Sequence, residues 1–164
     1  MFPRRSVSPT ELDAYIQRTH DGPCFICELI VRNPEYPHHV IHEDETAIVF
    51  LNKYPVLFGH TLVAPRHHYE QVTGDFSLEG YLALQQVVFR VSEAIRRVVP
   101  TERMYLYSLG SQQGNKHVHW HITPLPPGTP YHEQQMEALN IGRGILQVPD
   151  DEMASLATRI RQAL

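Results

Sequence analysis

The run His117-Val118-His119-Trp120-His121-Ile122 constrains the fold more than any other feature of the sequence. Side chains alternate between the two faces of an extended strand. A strand here puts all three histidines on one face and Val118, Trp120 and Ile122 on the other. Such a strand belongs in a sheet with one face packed on a core and the other left for chemistry. A merely histidine-rich exposed face is the bland alternative. One histidine would fit it, but three in strict alternation flanked by packing residues do not. The chain holds 11 histidines in 164 residues, an unusual share.

The rest of the sequence supplies a sheet around that strand. Ser8-Pro9-Thr10-Glu11 reads as a helix start, with Ser8 as cap, Pro9 at the first turn and Glu11 completing a capping box. That helix runs to about Thr19 with Leu12, Tyr15 and Ile16 on one face, and Asp21-Gly22-Pro23 breaks it. Cys24–Val31 reads as a short helix or turn. Val40–His42 and Ala47–Asn52 form a hairpin about Glu43-Asp44-Glu45, and His60–Ala64 is a third strand stopped by Pro65. Leu78, Tyr81, Leu82, Leu84, Val88, Val91, Ile95 and Val98 recur at helical spacing, so Leu78–Val99 is the clearest helix. Met104–Leu109 is a fourth strand, Gly110–Lys116 a polar loop and His117–Thr123 the fifth strand, ended by Pro124. The segment 124–130 carries too many prolines for regular structure, and a last helix spans Asp151–Ala163 with Asp150 as its cap. Short turns between strands imply an α+β fold: an antiparallel five-stranded sheet covered by one long helix, with short flanking helices.

Composition narrows the class. A length of 164 residues suits one domain spanning 1–164, and 42% apolar residues suffice for one core. No apolar run approaches the ~18 residues that span a bilayer. Met1-Phe2-Pro3-Arg4-Arg5 has charge but no apolar run behind it, so no secretory signal, no membrane partner and a cytoplasmic location are expected. A formal charge of −4 disfavours nucleic acid as a partner. Without export, Cys24 and Cys27 point to metal binding or redox chemistry rather than a structural disulfide.

A row of imidazoles admits two chemistries. An H-x-H metal site wants a carboxylate a few residues on, and the next acid, Glu133, lies beyond the proline-rich loop. The alternative is nucleophilic catalysis. Neutral imidazole attacks phosphorus near pH 7, a phosphoramidate intermediate divides one displacement into two, and neighbouring imidazoles donate to phosphate oxygens.

H-x-H-x-H followed by an apolar residue resembles the signature of the histidine-triad (HIT) nucleotide hydrolases and transferases. Phe50-Leu51-Asn52-Lys53-Tyr54-Pro55-Val56 with Gly59-His60-Thr61-Leu62-Val63-Ala64-Pro65-Arg66 is similar to the family's upstream block. Gln112-Gln113-Gly114-Asn115-Lys116 resembles its phosphate loop. The likeness covers roughly 24–125 and leaves 131–164 as a C-terminal extension. Asn-x-x-Pro before Gly-His looks closest to the diadenosine polyphosphate hydrolase-like branch. The resemblance implies that His119 attacks an α-phosphorus and carries the nucleotidyl group. It implies that His121 contacts phosphate, His60 supports the triad face, Asn52 binds ribose hydroxyls and Gln113 contacts phosphate or leaving group. Phe50 and Leu62 would line the base pocket, ordinary core being the equal alternative. Gly114 stands where the family often has serine or threonine, so a leaving-group hydroxyl is missing there.

Some relatives in that superfamily complete a C-x-x-C pair with two histidines. The matching positions are His68, with His67 if the register slips by one, and His117. Cys24, Cys27, His68 and His117 would then hold a structural zinc. Two reduced thiols without metal are the alternative, and no thioredoxin-like pattern supports a redox pair. The resemblance also implies a two-fold homodimer through the long helix and a strand edge. The expected activity is hydrolysis of an adenosine-containing nucleotide at the α-phosphorus. A phosphorylase using phosphate as acceptor, a non-catalytic nucleotide sensor and a zinc-stapled nucleic-acid module are the alternatives, in that order.

Overall fold

The computed structural model describes residues 2–110 and 115–164. The elements are β1 (Arg4–Arg5), α1 (Pro9–Asp21), α2 (Phe25–Ile30), β2 (Val40–Glu43), β3 (Ala47–Leu51), β4 (Thr61–Pro65), α3 (Leu78–Val98), β5 (Arg103–Tyr107), β6 (Trp120–Leu125), α4 (Met136–Leu139), β7 (Ile145–Leu146) and α5 (Asp150–Ala163). Strands pair in the order β2-β3-β4-β6-β5, every neighbour antiparallel. The expected α+β sheet with its long helix is therefore the fold found.

Local chemistry explains the turns. Asp44 Oδ1 accepts from the Thr46 and Ala47 amides at 2.8 and 2.9 Å, an Asx turn that closes the β2–β3 hairpin. The Ser8/Glu11 capping box opens α1 and Ser77 caps α3. Gly59 turns the chain into β4 at φ +88°, where an added Cβ would also meet Pro124 and Val99 side chains at 3.1 Å.

Two helices, side by side, cover one sheet face. Leu84, Val88, Val91 and Ile95 of α3 pack with Val49, Val63, Val118, Trp120 and Ile122. Leu156, Ala157 and Ile160 of α5 join the same core, so the long helix does not cover the sheet alone. The tail beyond residue 131 is thus part of the core layer. Its β7 pairs with β1, and Arg4 clamps this ribbon by donating to the Gly144 and Val56 carbonyls at 2.8 and 2.7 Å.

Several boundaries differ from expectation. Regular pairing of β6 begins at Trp120, because His117 and His119 spend ring N–H groups on carbonyls next to the strand. Val118 nonetheless joins Trp120 and Ile122 in the core, so the alternation of faces continues through them. Pro65 is itself the last residue of β4, and Pro124 lies within β6, one residue before its end. Asp150 is the first residue of α5, not its cap; its carboxylate accepts from His39 Nε2 at 2.8 Å. Leu78 and Leu82 lie on the exposed side of α3. Among the described residues no helix is long and apolar enough to cross a membrane.

Candidate active site

The sheet face opposite α3 and α5 carries the histidines. Pairing puts Phe50, Leu62, His121 and Tyr107 in one row across β3, β4, β6 and β5, since each stands opposite the next. Tyr107 stacks on the His121 ring, with centroids 4.7 Å apart and planes 3° from parallel. The rings of His119 and His121 lie 4.9 Å apart. Over this face opens a cleft of about 590 Å³, of the size that small-molecule sites take.

Hydrogen bonds fix the rings. His119 Nδ1–H donates to the His117 carbonyl at 2.7 Å, leaving Nε2 with its lone pair, and the residue borders the cleft. Asn52 Oδ1 accepts from the Tyr54 amide at 2.8 Å, which turns the Asn52 NH₂ toward His60 at 3.2–3.3 Å. His60 Nε2 is also paired with His121 Nδ1 at 2.9 Å, the direction of that bond following from the two tautomers. With the hydrogen on His60 Nε2, His121 Nδ1 accepts and its Nε2–H is a donor open to a ligand. Burial above all, then the neighbouring imidazoles, pushes His60 down to about 3 and His121 to about 2. Burial also lowers His119, partly offset by its bond to the His117 carbonyl. Burial thus favours the neutral form of each of these imidazoles.

The other expected residues take distinct places. Leu62 and Asn52 line the cleft. Phe50 is fully buried beneath it, edge-on to His38 at 5.1 Å and to Phe25 at 6.2 Å, so those two rings face the opening instead. Gln113 and Gly114 lie outside the described residues. Sequence reasoning missed Phe25, His38 and Tyr107. The Tyr105/Tyr107 alternation in β5 was the one available signal, and it needed the β5–β6 register to become meaningful.

A second cluster sits at the start of the histidine run. Ligand atoms of Cys24, Cys27, His68 and His117 all lie within 4.8 Å of one another. Three sulfur–nitrogen distances are 3.3, 3.5 and 3.6 Å. A tetrahedron with metal–sulfur and metal–nitrogen bonds of about 2.3 and 2.1 Å has S···N edges of about 3.6 Å, so the donor set fits a metal ion. The ring nitrogens that face away are also held: His117 Nε2–H donates to the Pro65 carbonyl at 2.9 Å, and His68 Nε2 lies 3.4 Å from Glu70. Outer partners of this kind present the inner nitrogen to a metal. His67 instead lies against Tyr69, outside the cluster. Burial, then the neighbouring Cys24, pushes the Cys27 thiol up to about 12, the reverse of a redox-active cysteine. These four residues could hold a metal.

A sheet with one helical face and one triad of ordered imidazoles defines a histidine-triad protein, and the comparisons agree. The HIT domain matches residues 33–127. A HIT-like protein of Borreliella burgdorferi is 32% identical over 108 residues, 62% of this chain and 74% of that protein. A HIT-like protein of Methanocaldococcus jannaschii is 32% identical over 109 residues, 64% of this chain and 81% of its own length. A hypothetical histidine triad nucleotide-binding protein from Sulfolobus tokodaii superposes with a TM-score of 0.68 at 27% identity, covering 85% of this chain and 91% of that one. The chain belongs to the HIT domain family.

Proposed function

We propose that this chain hydrolyses an adenosine-containing nucleotide at its α-phosphorus through a nucleotidyl–His119 intermediate, in the manner of the diadenosine polyphosphate branch. The observation that carries this reading is the oriented pair: His119 and His121 each engage Nδ1 within the protein, to the His117 carbonyl and to His60, which leaves both Nε2 atoms free on rings 4.9 Å apart. His119 Nε2 attacks phosphorus, a P–N bond forms, and the leaving group departs with the electrons of its bond to phosphorus. His121 donates to a non-bridging oxygen, where charge builds up. Water then attacks the same phosphorus and the P–N bond breaks, freeing the monophosphate and restoring His119.

The nucleoside would lie along Leu62, Phe25 and His38, with Asn52 keeping one amide hydrogen and one oxygen lone pair for ribose. Zinc is the metal best matched to two thiolates and two imidazoles. Its place would be structural: it would bind Cys24 at the entry to α2 to His117, two residues before the nucleophile. A second copy would dock on α3, where Leu78, Leu82 and Phe89 stand exposed on one stripe beside the β5 edge with its exposed Leu106.

The test is turnover of diadenosine tetraphosphate and adenosine phosphoramidate by wild type and His119→Ala, with and without phosphate. AMP released by wild type alone supports the reading. ADP formed only with phosphate makes the enzyme a phosphorylase. Nucleotide bound without turnover by either protein makes it a sensor.

A further inference from the structure

The cleft has a wall that the HIT domain match does not include. α1 ends well before residue 33. None of its residues is buried, although its sequence is amphipathic. A helix of 13 residues that buries nothing gains little from packing. What holds it is Tyr15. The Tyr15 ring stands edge-on to Tyr54 at 6.0 Å, and its hydroxyl accepts from Asn115 Nδ2 at 3.0 Å. Tyr54 lies two residues after Asn52, and Asn115 two before His117. One side chain therefore ties α1 to both rims, and α1 spans the opening between them. Tyr15, Arg18 and Thr19 line the cleft from this side.

The charges there are uneven. The chain contains two lysines, Lys53 and Lys116, and both line this cleft with Arg18. Among the described residues none of the three has a carboxylate partner; Arg4, Arg97 and Arg161, which also lack one, are instead spent on backbone carbonyls, and Arg90 and Arg103 are unpaired away from the cleft. Unpaired cations gathered at one cleft of a net-negative chain call for an anionic ligand. Two acids, Glu35 and Glu70, also border the cleft. Of these, Glu70 is next to His68.

We propose that α1 is a strap that reads the leaving group, with Arg18 and Lys116 selecting substrates whose leaving group is a polyphosphate over those that release a neutral amine. This rests on nucleotidyl transfer through His119. Tyr15 is the positioning residue that holds the strap, and Arg18 is the specificity residue it presents. Removing Arg18 should then cost only the substrate with a charged leaving group, since the nucleotidyl half is the same in both.

The experiment compares kcat/KM for diadenosine tetraphosphate and adenosine phosphoramidate in wild type, Arg18→Gln, Arg18→Lys and Tyr15→Ala. Arg18 is exposed in the last turn of a helix that buries nothing, so folding is not at risk, and circular dichroism checks it. Arg18→Gln should lose roughly tenfold or more on the tetraphosphate and less than about twofold on the phosphoramidate. Arg18→Lys should recover much of the loss, and Tyr15→Ala should reproduce it. Salt should weaken the wild-type preference for the tetraphosphate. Equal losses on both substrates, or none, overturn the strap while leaving the hydrolase reading in place. A wild type that turns over neither substrate overturns the hydrolase reading, and the strap with it.

Discussion

The two sides of one strand carry different duties. Val118, Trp120 and Ile122 are at most 6% exposed and sit in the core with α3 and α5. His117, His119 and His121 alternate with them, yet each ring is held by hydrogen bonds and not by packing alone. Polar groups on the site face are satisfied through ring nitrogens that face away from the cleft or the metal cluster, which leaves the other nitrogen of each ring for chemistry. Stability and reactivity are thus separated by a half-turn of backbone, and substitutions on the two sides should fail in different ways.

The largest expected effect is on the site side. His119→Ala should lower turnover by roughly 10³-fold or more while leaving the thermal midpoint nearly in place; equal losses of activity and stability would erase the distinction. Next comes the core side. Ile122→Ala should cost about 2–5 kcal/mol in denaturant unfolding, with activity per folded molecule retained under conditions where the variant remains folded. Removing metal tests the shared end of the run. Cys27→Ser, or chelation of wild type, should release about one zinc per chain and lower the melting temperature, read by metal analysis and calorimetry; a metal-free wild type with an unchanged melt contradicts the site.

Of the two sides of the strand, only the site side carries groups that acid can charge. His60 and His121 titrate near 6.5 in the unfolded chain but are held at about 3 and about 2 in the fold. Above pH 6.5 both states are neutral and no stability depends on them. As pH falls below 6.5 the unfolded chain takes up protons that the fold refuses, so stability declines toward pH 3. His60→Gln should flatten that slope. The smallest effect expected is at Phe50→Leu, which should cost about 1 kcal/mol and change nucleotide affinity little, because the ring lies beneath the cleft and does not line it.

The alternating histidines, the Gly-His block and the period of α3 made the sheet, its long helix and the imidazole face legible from sequence. Those signals are local, one element at a time. What stayed hidden depends on pairing. The stacking of Tyr107 on His121 needs the β5–β6 register, and the burial of Phe50 needs the positions of Phe25 and His38. The terminal helices show the limit of pattern most plainly. α1 and α5 read alike as amphipathic helices of 13 and 14 residues. α5 buries Met153, Leu156, Ala157 and Ile160, whereas α1 buries nothing and walls the cleft. No periodicity distinguishes a face that meets a core from a face that meets a ligand.

The central claim is a covalent bond between His119 and the α-phosphorus. The most direct measurement is a rapid acid-free quench of wild type with diadenosine tetraphosphate, followed by intact-mass and peptide analysis. A transient adduct of one adenylyl group on the peptide carrying His119, absent from His119→Ala, is the predicted result. Steady release of AMP with no adduct, or with the adduct on another residue, would contradict the account.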